Sequence, residues 1–119
     1  MADQEFIDAL DQSREVELTV VGRRSGQETA RPVWFVRADR NVQLVPIYGT
    51  DSAWYKNVKA TPTVRLAVRA GREVEAQAVP VSESRRIGEI VEAFRAKYGN
   101  DEFERNYPKP DAAVEVSLD

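Results

Sequence analysis

The sequence contains neither cysteine nor histidine among its 119 residues, and these two absences exclude most common catalytic centres. Such a chain cannot build disulfides, iron–sulfur clusters, Cys/His zinc sites, His-ligated haem or a Ser-His-Asp triad. It also lacks a run of the ~18 to 20 apolar residues that a membrane-spanning helix needs. The acidic first ten residues do not read as a signal peptide. We therefore expect a cytoplasmic protein without a metal site.

The composition is that of an ordinary globular domain, with 42% hydrophobic and 31% charged residues and only six prolines and six glycines. The length predicts one domain over residues 1–119. The net charge of −3 argues against binding to nucleic acid. Thirteen of the 17 basic residues are arginine, whose planar guanidinium suits carboxylates and phosphates, so an anion site would have to be a local arginine cluster.

The hydrophobic pattern alternates between the strand period and the helix period. Period-two segments predict six strands. The first begins at Glu15, the second follows the turn at 22–27 and contains Pro32 and 33–36, and the others cover 42–48, 63–69, 72–81 and 113–118. Helical spacing predicts helices over 2–12, 53–59 and from a cap at Ser82 or Ser84 to Tyr98, followed by a polar loop over 100–111. Turns at 38–41 and 70–71 favour hairpins. We therefore expect a mainly β, α+β fold in which six antiparallel strands close as a small barrel with two or three flanking helices.

The turn between the first two strands is the first candidate site. It reads Gly22-Arg23-Arg24-Ser25-Gly26, and Arg31 follows shortly after. The two glycines allow close approach of the backbone to a ligand, and the side chains between them are donors to phosphate or carboxylate oxygens. The alternative is a hairpin turn that carries solvated arginines.

The short helix after the third strand is the second candidate. Trp54 and Val58 share one face, whereas Tyr55, Asn57 and Lys59 lie away from it. An aromatic pair beside an amide and amines could bind a planar ring and its polar edge. The alternative is that Trp54 and Val58 plug the end of the barrel.

Three further features favour structural explanations. Arg65, Arg69 and Arg72 are expected on a solvated outer face with Glu73 and Glu75 as partners. The pair Arg85-Arg86 is expected on the polar face of the long helix. Tyr107, next to prolines, is either the lid of a pocket or part of an ordered loop.

These motifs resemble the deazaflavin (coenzyme F420)-dependent nitroreductase family of the flavin and deazaflavin split β-barrel superfamily. The resemblance rests on the segments 19–26 (TVVGRRSG), 32–36 (PVWFV) and 53–62 (AWYKNVKATP), and it covers about residues 17–81. It implies a six-stranded split barrel that binds F420. By motif, Arg23, Arg24 and Ser25 would meet its phosphate or tail carboxylates and Asn57 its polar chain, while Pro32, Val33 and Trp34 would line its ring.

The resemblance also implies a reaction, which is hydride transfer from the reduced deazaflavin to a small quinone-like or nitroaromatic electron acceptor. No catalytic residue is assigned, although Tyr48, Tyr55 or Tyr107 could donate a hydrogen bond to the accepting oxygen. Two alternatives stay open: an FMN-binding split barrel, and a cofactor-free barrel that binds a ligand or a partner chain. The segment 46–52 departs from the family pattern, because it is short and its bulky Ile47 and Tyr48 have the size to occupy cofactor space.

Small barrels of this superfamily often complete their site at a two-fold interface, so we expect a homodimer. In support, Trp34, Phe35 and Tyr55 are not expected to pack together inside a core of this size.

Overall fold

The structure is a computed structural model that describes residues 3–68 and 72–119. Its strands are β1 (Glu15–Val21), β2 (Glu28–Trp34), β3 (Val36–Ala38), β4 (Asn41–Leu44), β5 (Thr63–Val68), β6 (Arg72–Val81) and β7 (Ala113–Ser117). Its helices are α1 (Gln4–Asp11), α2 (Ala53–Ala60), α3 (Ser84–Tyr98) and α4 (Asn100–Asn106), with one 3₁₀ turn (Gly49–Asp51). No helix within the described ranges is long and apolar enough to cross a membrane.

The strands pair in the order β2-β1-β5-β6-β7-β4-β3, and every pairing is antiparallel. The two outermost strands are consecutive in the chain and are separated by Phe35 alone. They are two halves of one bent strand, which brings the edges of the sheet together as a split barrel. The predicted α+β split barrel is confirmed, and its six strands become seven because this strand bends.

The bend leaves the backbone of Phe35 outside both ladders, and two neighbouring side chains of α3 satisfy it. The Phe35 amide donates to the Tyr98 hydroxyl at 3.0 Å, and the Phe35 carbonyl accepts from Lys97 Nζ at 2.8 Å. The Tyr98 hydroxyl in turn lies 2.7 Å from the Arg14 carbonyl oxygen and 2.9 Å from that of Phe35. Burial lowers the pKa of Lys97 to about 8 and raises that of Tyr98 to about 12.

The apolar side chains form two clusters on opposite faces of this strand. Phe35 points into the barrel with Trp54 and Tyr55, whereas Trp34 and Val36 face α3 and α4. Phe35 and Tyr55 are 1% and 7% exposed. As expected, the three aromatic side chains do not share one core, because Trp34 packs against the second cluster and is only partly buried. Phe35 and Tyr55 are buried, however, so they give no support for a dimer.

Several boundaries differ from the sequence prediction. The loop predicted over 100–111 begins with α4, which buries Phe103 and carries Asp101 and Glu102 in its first turn, where acids favour the helix dipole. The third strand ends at Leu44 because the chain leaves the ladder before Pro46. Glu83, not a serine, precedes α3. Arg69 and the turn predicted at 70–71 lie outside the described residues.

Replacing Tyr98 by phenylalanine tests the bend. Tyr98→Phe keeps the ring but leaves the buried Phe35 amide and the Arg14 carbonyl without this partner, so we expect a loss of about 1–3 kcal/mol of unfolding free energy. The matched control is Tyr48→Phe, whose hydroxyl belongs to a side chain that is 62% exposed; it should change stability by less than about 0.5 kcal/mol. Urea denaturation measures both, and equal small effects would contradict this account of the bend.

Candidate functional site

A groove opens along the outer edge of β2. Among the described strands β2 pairs with β1 only, and after β4 the chain continues through the 3₁₀ turn to α2. The resulting groove has a volume of about 420 Å³, within the range of about 300–1,000 Å³ typical of small-molecule sites. Its lining comprises Glu15, Arg31, Pro32, Val33, Trp34, Val45, Ile47, Tyr48, Ser52, Ala53, Trp54, Asn106 and Tyr107.

A neighbouring depression of about 490 Å³ is a weaker candidate. It shares Glu15 and Pro32 with the groove, and it continues past Arg14 towards Val68. It is more open to solvent and has no aromatic wall, so it offers a planar ligand no surface on which to stack. The groove is therefore the better candidate site.

The aromatic wall of the groove is fixed from behind. Trp34 stacks on Tyr98 with ring centroids 4.1 Å apart and planes 9° from parallel, and the Arg14 guanidinium lies 5.1 Å from the centroid of each ring. Tyr107 packs 5.9 Å from Trp34 and stacks on Phe103 at 4.8 Å. Stacking and cation–π contacts of this kind hold the indole in one orientation, so a ligand would meet a preformed surface.

The rim of the groove is held by contacts between two loops. The Thr50 amide donates to Asp111 Oδ1 at 3.1 Å, and Lys109 Nζ donates to Asp51 Oδ2 at 2.6 Å. These bonds join the segment that carries Ile47 and Tyr48 to the segment that follows Tyr107. Ile47 and Tyr48 are 45% and 62% exposed, so they border the groove and leave its interior open.

The basic turn between β1 and β2 lies beside α2. Asn57 Oδ1 accepts from the Arg23 backbone amide at 3.1 Å and from Arg23 Nη1 at 2.8 Å. The Ser25 hydroxyl accepts from the Gln27 amide, and Gly26 adopts a φ of +72° that favours glycine. Arg24 is exposed and has no acidic partner within 3–68 and 72–119, so its charge is available to an anion.

The nine predicted site residues therefore fall into two adjoining groups. Arg31, Pro32, Val33, Trp34 and Trp54 line the groove, whereas Arg23, Arg24, Ser25 and Asn57 lie at the basic turn. Asn57 is three residues beyond Trp54 on α2, which is about 4.5 Å along the helix. Arg31 lies three residues from the start of β2, about 10 Å along the strand. An elongated ligand could therefore contact both groups.

Sequence reasoning assigned several lining residues no part in the site. Ser52 was expected to belong to the turn and N-cap before α2, Asn106 to a polar loop, and Tyr107 to act only as a lid or a hydrogen-bond donor. Ser52 accepts from the Tyr48 amide at 2.9 Å, so it shapes the rim instead of capping α2. Tyr107 comes to the groove because α4 turns the chain back. The spacing of four residues between Phe103 and Tyr107, which is about one helical turn, was the signal in the sequence for this helix.

The other arginines singled out have structural partners or lie elsewhere. Arg65 lies 3.5 Å from Glu73, one of its two expected partners, but it binds Glu28, which was not expected, through both terminal nitrogens. Arg72 pairs with Glu5, and Arg86 binds Glu115 at 2.6 Å. Tyr55 is buried in the barrel core and does not line the groove.

Solved structures with the same fold include three informative ones. The chain is 23% identical to an F420-H2 dependent reductase (FDR-A), with a TM-score of 0.67 and coverage of 87% of this chain and 94% of that one. A structure described as a domain-swapped dimer matches with the same identity and TM-score, over 87% and 80%. The conserved hypothetical protein Rv2991 from Mycobacterium tuberculosis gives a TM-score of 0.76 at 20% identity, over 98% and 79%. No curated protein sequence matches.

Fold and groove together define a split-barrel protein whose groove has a fixed aromatic wall. The sequence profile of the F420H(2)-dependent quinone reductase family matches residues 5–108, which is most of the chain. The chain belongs to this family of F420-dependent oxidoreductases, as its motifs indicated. The match gives no support to the FMN alternative.

Two glycine variants test whether the rim is tightly built. Gly49 has a φ of +58°, and a Cβ there would meet Asp111 and approach the Lys109 carbonyl to 2.5 Å, so Gly49→Ala should cost about 2 kcal/mol or more. Gly88 lies in α3 with nothing within 4 Å of an added Cβ, so Gly88→Ala should stabilise by about 0.5–1 kcal/mol. Thermal denaturation compares them. A stable Gly49→Ala protein would mean that the two loops are not clasped as described.

Proposed function

We propose that this chain uses reduced F420 to transfer hydride to a small quinone-like or nitroaromatic acceptor. The observation that carries the proposal is the match of residues 5–108 to the F420H(2)-dependent quinone reductase family, in a chain whose aromatic groove adjoins a basic turn. The neighbour described as an F420-H2 dependent reductase has the same fold.

The side chains present are suited to F420, which combines a planar tricycle with a phosphate and an acidic tail. We assign the tricycle to the groove, against Pro32, Val33 and Trp34, with Trp54 closing one end. The anionic groups would extend past Arg31 to Arg23, Arg24 and Ser25. Asn57 would act by holding Arg23, because its amide oxygen accepts twice from that residue. Pairing of exposed guanidinium groups with phosphate and carboxylate oxygens is the favoured chemistry.

The chemistry is divided between cofactor and protein. When bound, the reduced deazaflavin supplies the hydride, and the protein supplies position and electrostatics. The preformed wall at Trp34 would hold two rings near contact distance, which removes much of the entropic barrier to transfer. Pro32, Val33 and Val45 give the groove part of its apolar lining.

The alternatives left by the sequence differ in their support. A Tyr48 side chain that filled the groove would favour a cofactor-free binding module. Tyr48 is instead largely exposed at the rim. Reduction of nitroaromatic acceptors, the single domain over 1–119 and the cytoplasmic location stay predictions.

Titration with F420, followed by its fluorescence, tests the proposal. We expect saturable binding that weakens about three- to tenfold in Arg24→Ala, because an exposed guanidinium contributes a screened charge–charge contact to the anionic part of the ligand. The loss should shrink as salt is raised. Arg85→Ala is the matched control, since Arg85 is also exposed but lies on α3, away from groove and turn, and should leave affinity unchanged.

The outcomes separate the possible cofactors. Failure to bind F420 at low or moderate salt would refute the proposed function. Saturable FMN binding in a parallel titration, with none for F420, would retain an oxidoreductase with a different cofactor. If Arg24→Ala and Arg85→Ala lose the same amount of F420 affinity, the basic turn is not part of the binding site, although the protein still binds F420.

We also propose a homodimer. The support is the neighbour described as a domain-swapped dimer, together with the exposed apolar rim at Ile47 and Tyr48 and the exposed edge strand β2. Sedimentation equilibrium should give twice the chain's 13.4 kDa. A monomer at tens of micromolar would refute the dimer without affecting the assignment of the cofactor.

A further inference from the structure

The Tyr107 ring is among the most constrained side chains that line the groove. It is 5% exposed and lies between Phe103, at 4.8 Å, and Trp34, at 5.9 Å, with the edge of Phe94 at 5.7 Å. Its backbone amide donates to the Phe103 carbonyl at 2.9 Å, which closes the last turn of α4. Both ring and backbone are therefore fixed, and so is the position of the phenol oxygen.

The hydroxyl of Tyr107 differs from that of its neighbour Tyr98. Tyr98 accepts from one backbone amide and donates to a backbone carbonyl, so its hydroxyl is fully used by the fold. The Tyr107 hydroxyl makes no hydrogen bond within the described residues. No side-chain oxygen or nitrogen in those residues is both sealed from solvent and unpaired, so this hydroxyl keeps a small exposure, and Tyr107 is one of the residues that line the groove. A donor placed there without a protein partner is suited to a ligand.

The environment keeps this phenol in its neutral form. Burial raises the pKa of Tyr107 well above its ordinary value, and the neighbouring Tyr98 adds to the shift. The group is therefore a hydrogen-bond donor over the whole physiological range. By contrast, a hydrogen bond from Tyr48 at the exposed rim would only replace one to water.

We propose that the Tyr107 hydroxyl donates a hydrogen bond to the oxygen of the electron acceptor and so selects planar aromatic molecules that carry a carbonyl or nitro oxygen. This inference rests on the proposed function, and it deepens it by naming the residue that recognises the acceptor. The phenol is protonated before and after reduction, so it supplies neither a proton nor an electron. A ligand with the same ring but no oxygen would leave the hydroxyl without a partner.

The test compares two probes that differ in their oxygens, 1,4-naphthoquinone and naphthalene, each titrated into the cofactor-free protein by ligand-observed NMR. Tyr107→Phe removes only the hydroxyl. We expect the dissociation constant for the quinone to rise about three- to tenfold, as for the loss of one neutral hydrogen bond, and that for naphthalene to stay the same. Tyr55→Phe is the matched control, because Tyr55 lies in the barrel core and does not line the groove, and it should change neither dissociation constant. The absence of cysteine removes thiol addition to the quinone as a complication.

Each outcome decides the inference. Equal weakening of both probes would mean that Tyr107 acts only through ring packing, and no change for either would remove it from the acceptor site. Either result overturns the proposal. Tyr107→Phe breaks no hydrogen bond within the described chain, so its urea midpoint should match that of the unmodified protein and a folding defect is not expected.

Titration of the same variants with F420 separates this inference from the proposed function. F420 affinity should be unchanged in Tyr107→Phe, and the rate constant kcat/KM for quinone reduction should fall at least as far as the affinity for the quinone. If F420 binds but Tyr107→Phe binds the quinone as tightly as the unmodified protein, only the role of Tyr107 is overturned. If F420 does not bind but Tyr107→Phe still binds the quinone more weakly than the unmodified protein, the proposed function is overturned and Tyr107 remains a ligand contact.

Discussion

The peptide group of Phe35 is the constraint on which the rest of the structure depends. At this residue the strand leaves one half of the barrel and enters the other, so neither ladder can satisfy its amide or its carbonyl. An unpaired buried peptide group costs free energy. Tyr98 and Lys97, which are neighbours on α3, avoid this cost by hydrogen bonding to the Phe35 amide and carbonyl. Lys97 pays a desolvation penalty in this position, which its lowered pKa records. The neutral amine still donates, so the contact survives the titration.

The same contact also positions the aromatic wall of the candidate groove. Because successive side chains of a strand point to opposite faces, fixing Phe35 inside the barrel turns Trp34 outward. Trp34 then stacks on Tyr98, the side chain whose hydroxyl holds the bend. Docking of α3 therefore closes the barrel and orients the wall of the site together. A variant that loosens α3 would alter ligand binding without touching the ligand.

The parts of this molecule that follow from local patterns could be predicted, and the parts set by long-range contacts could not. Alternation along 15–21 and the apolar stripe of α3 gave strands and helix close to their observed bounds. The bend at Phe35 has no local signal, because Pro32 to Val36 reads as one continuous apolar strand. α4 was missed because its only apolar residue is Phe103. The pairing of Trp34 with Tyr98 and Tyr107 joins segments more than 60 residues apart, so no periodicity could show it.

The groove contains few groups that exchange protons. Its titratable lining consists of Glu15 and Arg31 at the exposed edge and the two phenols, of which Tyr107 is held neutral by burial. A site of this kind is poorly suited to general acid–base catalysis near neutral pH, where a group with a matched pKa is needed. It is well suited to a reaction in which the electrons and the hydrogen arrive together from a bound cofactor. The absence of histidine and cysteine is consistent with the proposed division of labour, in which a bound cofactor carries the chemistry and this chain would contribute shape, one buried donor and an arginine-rich approach.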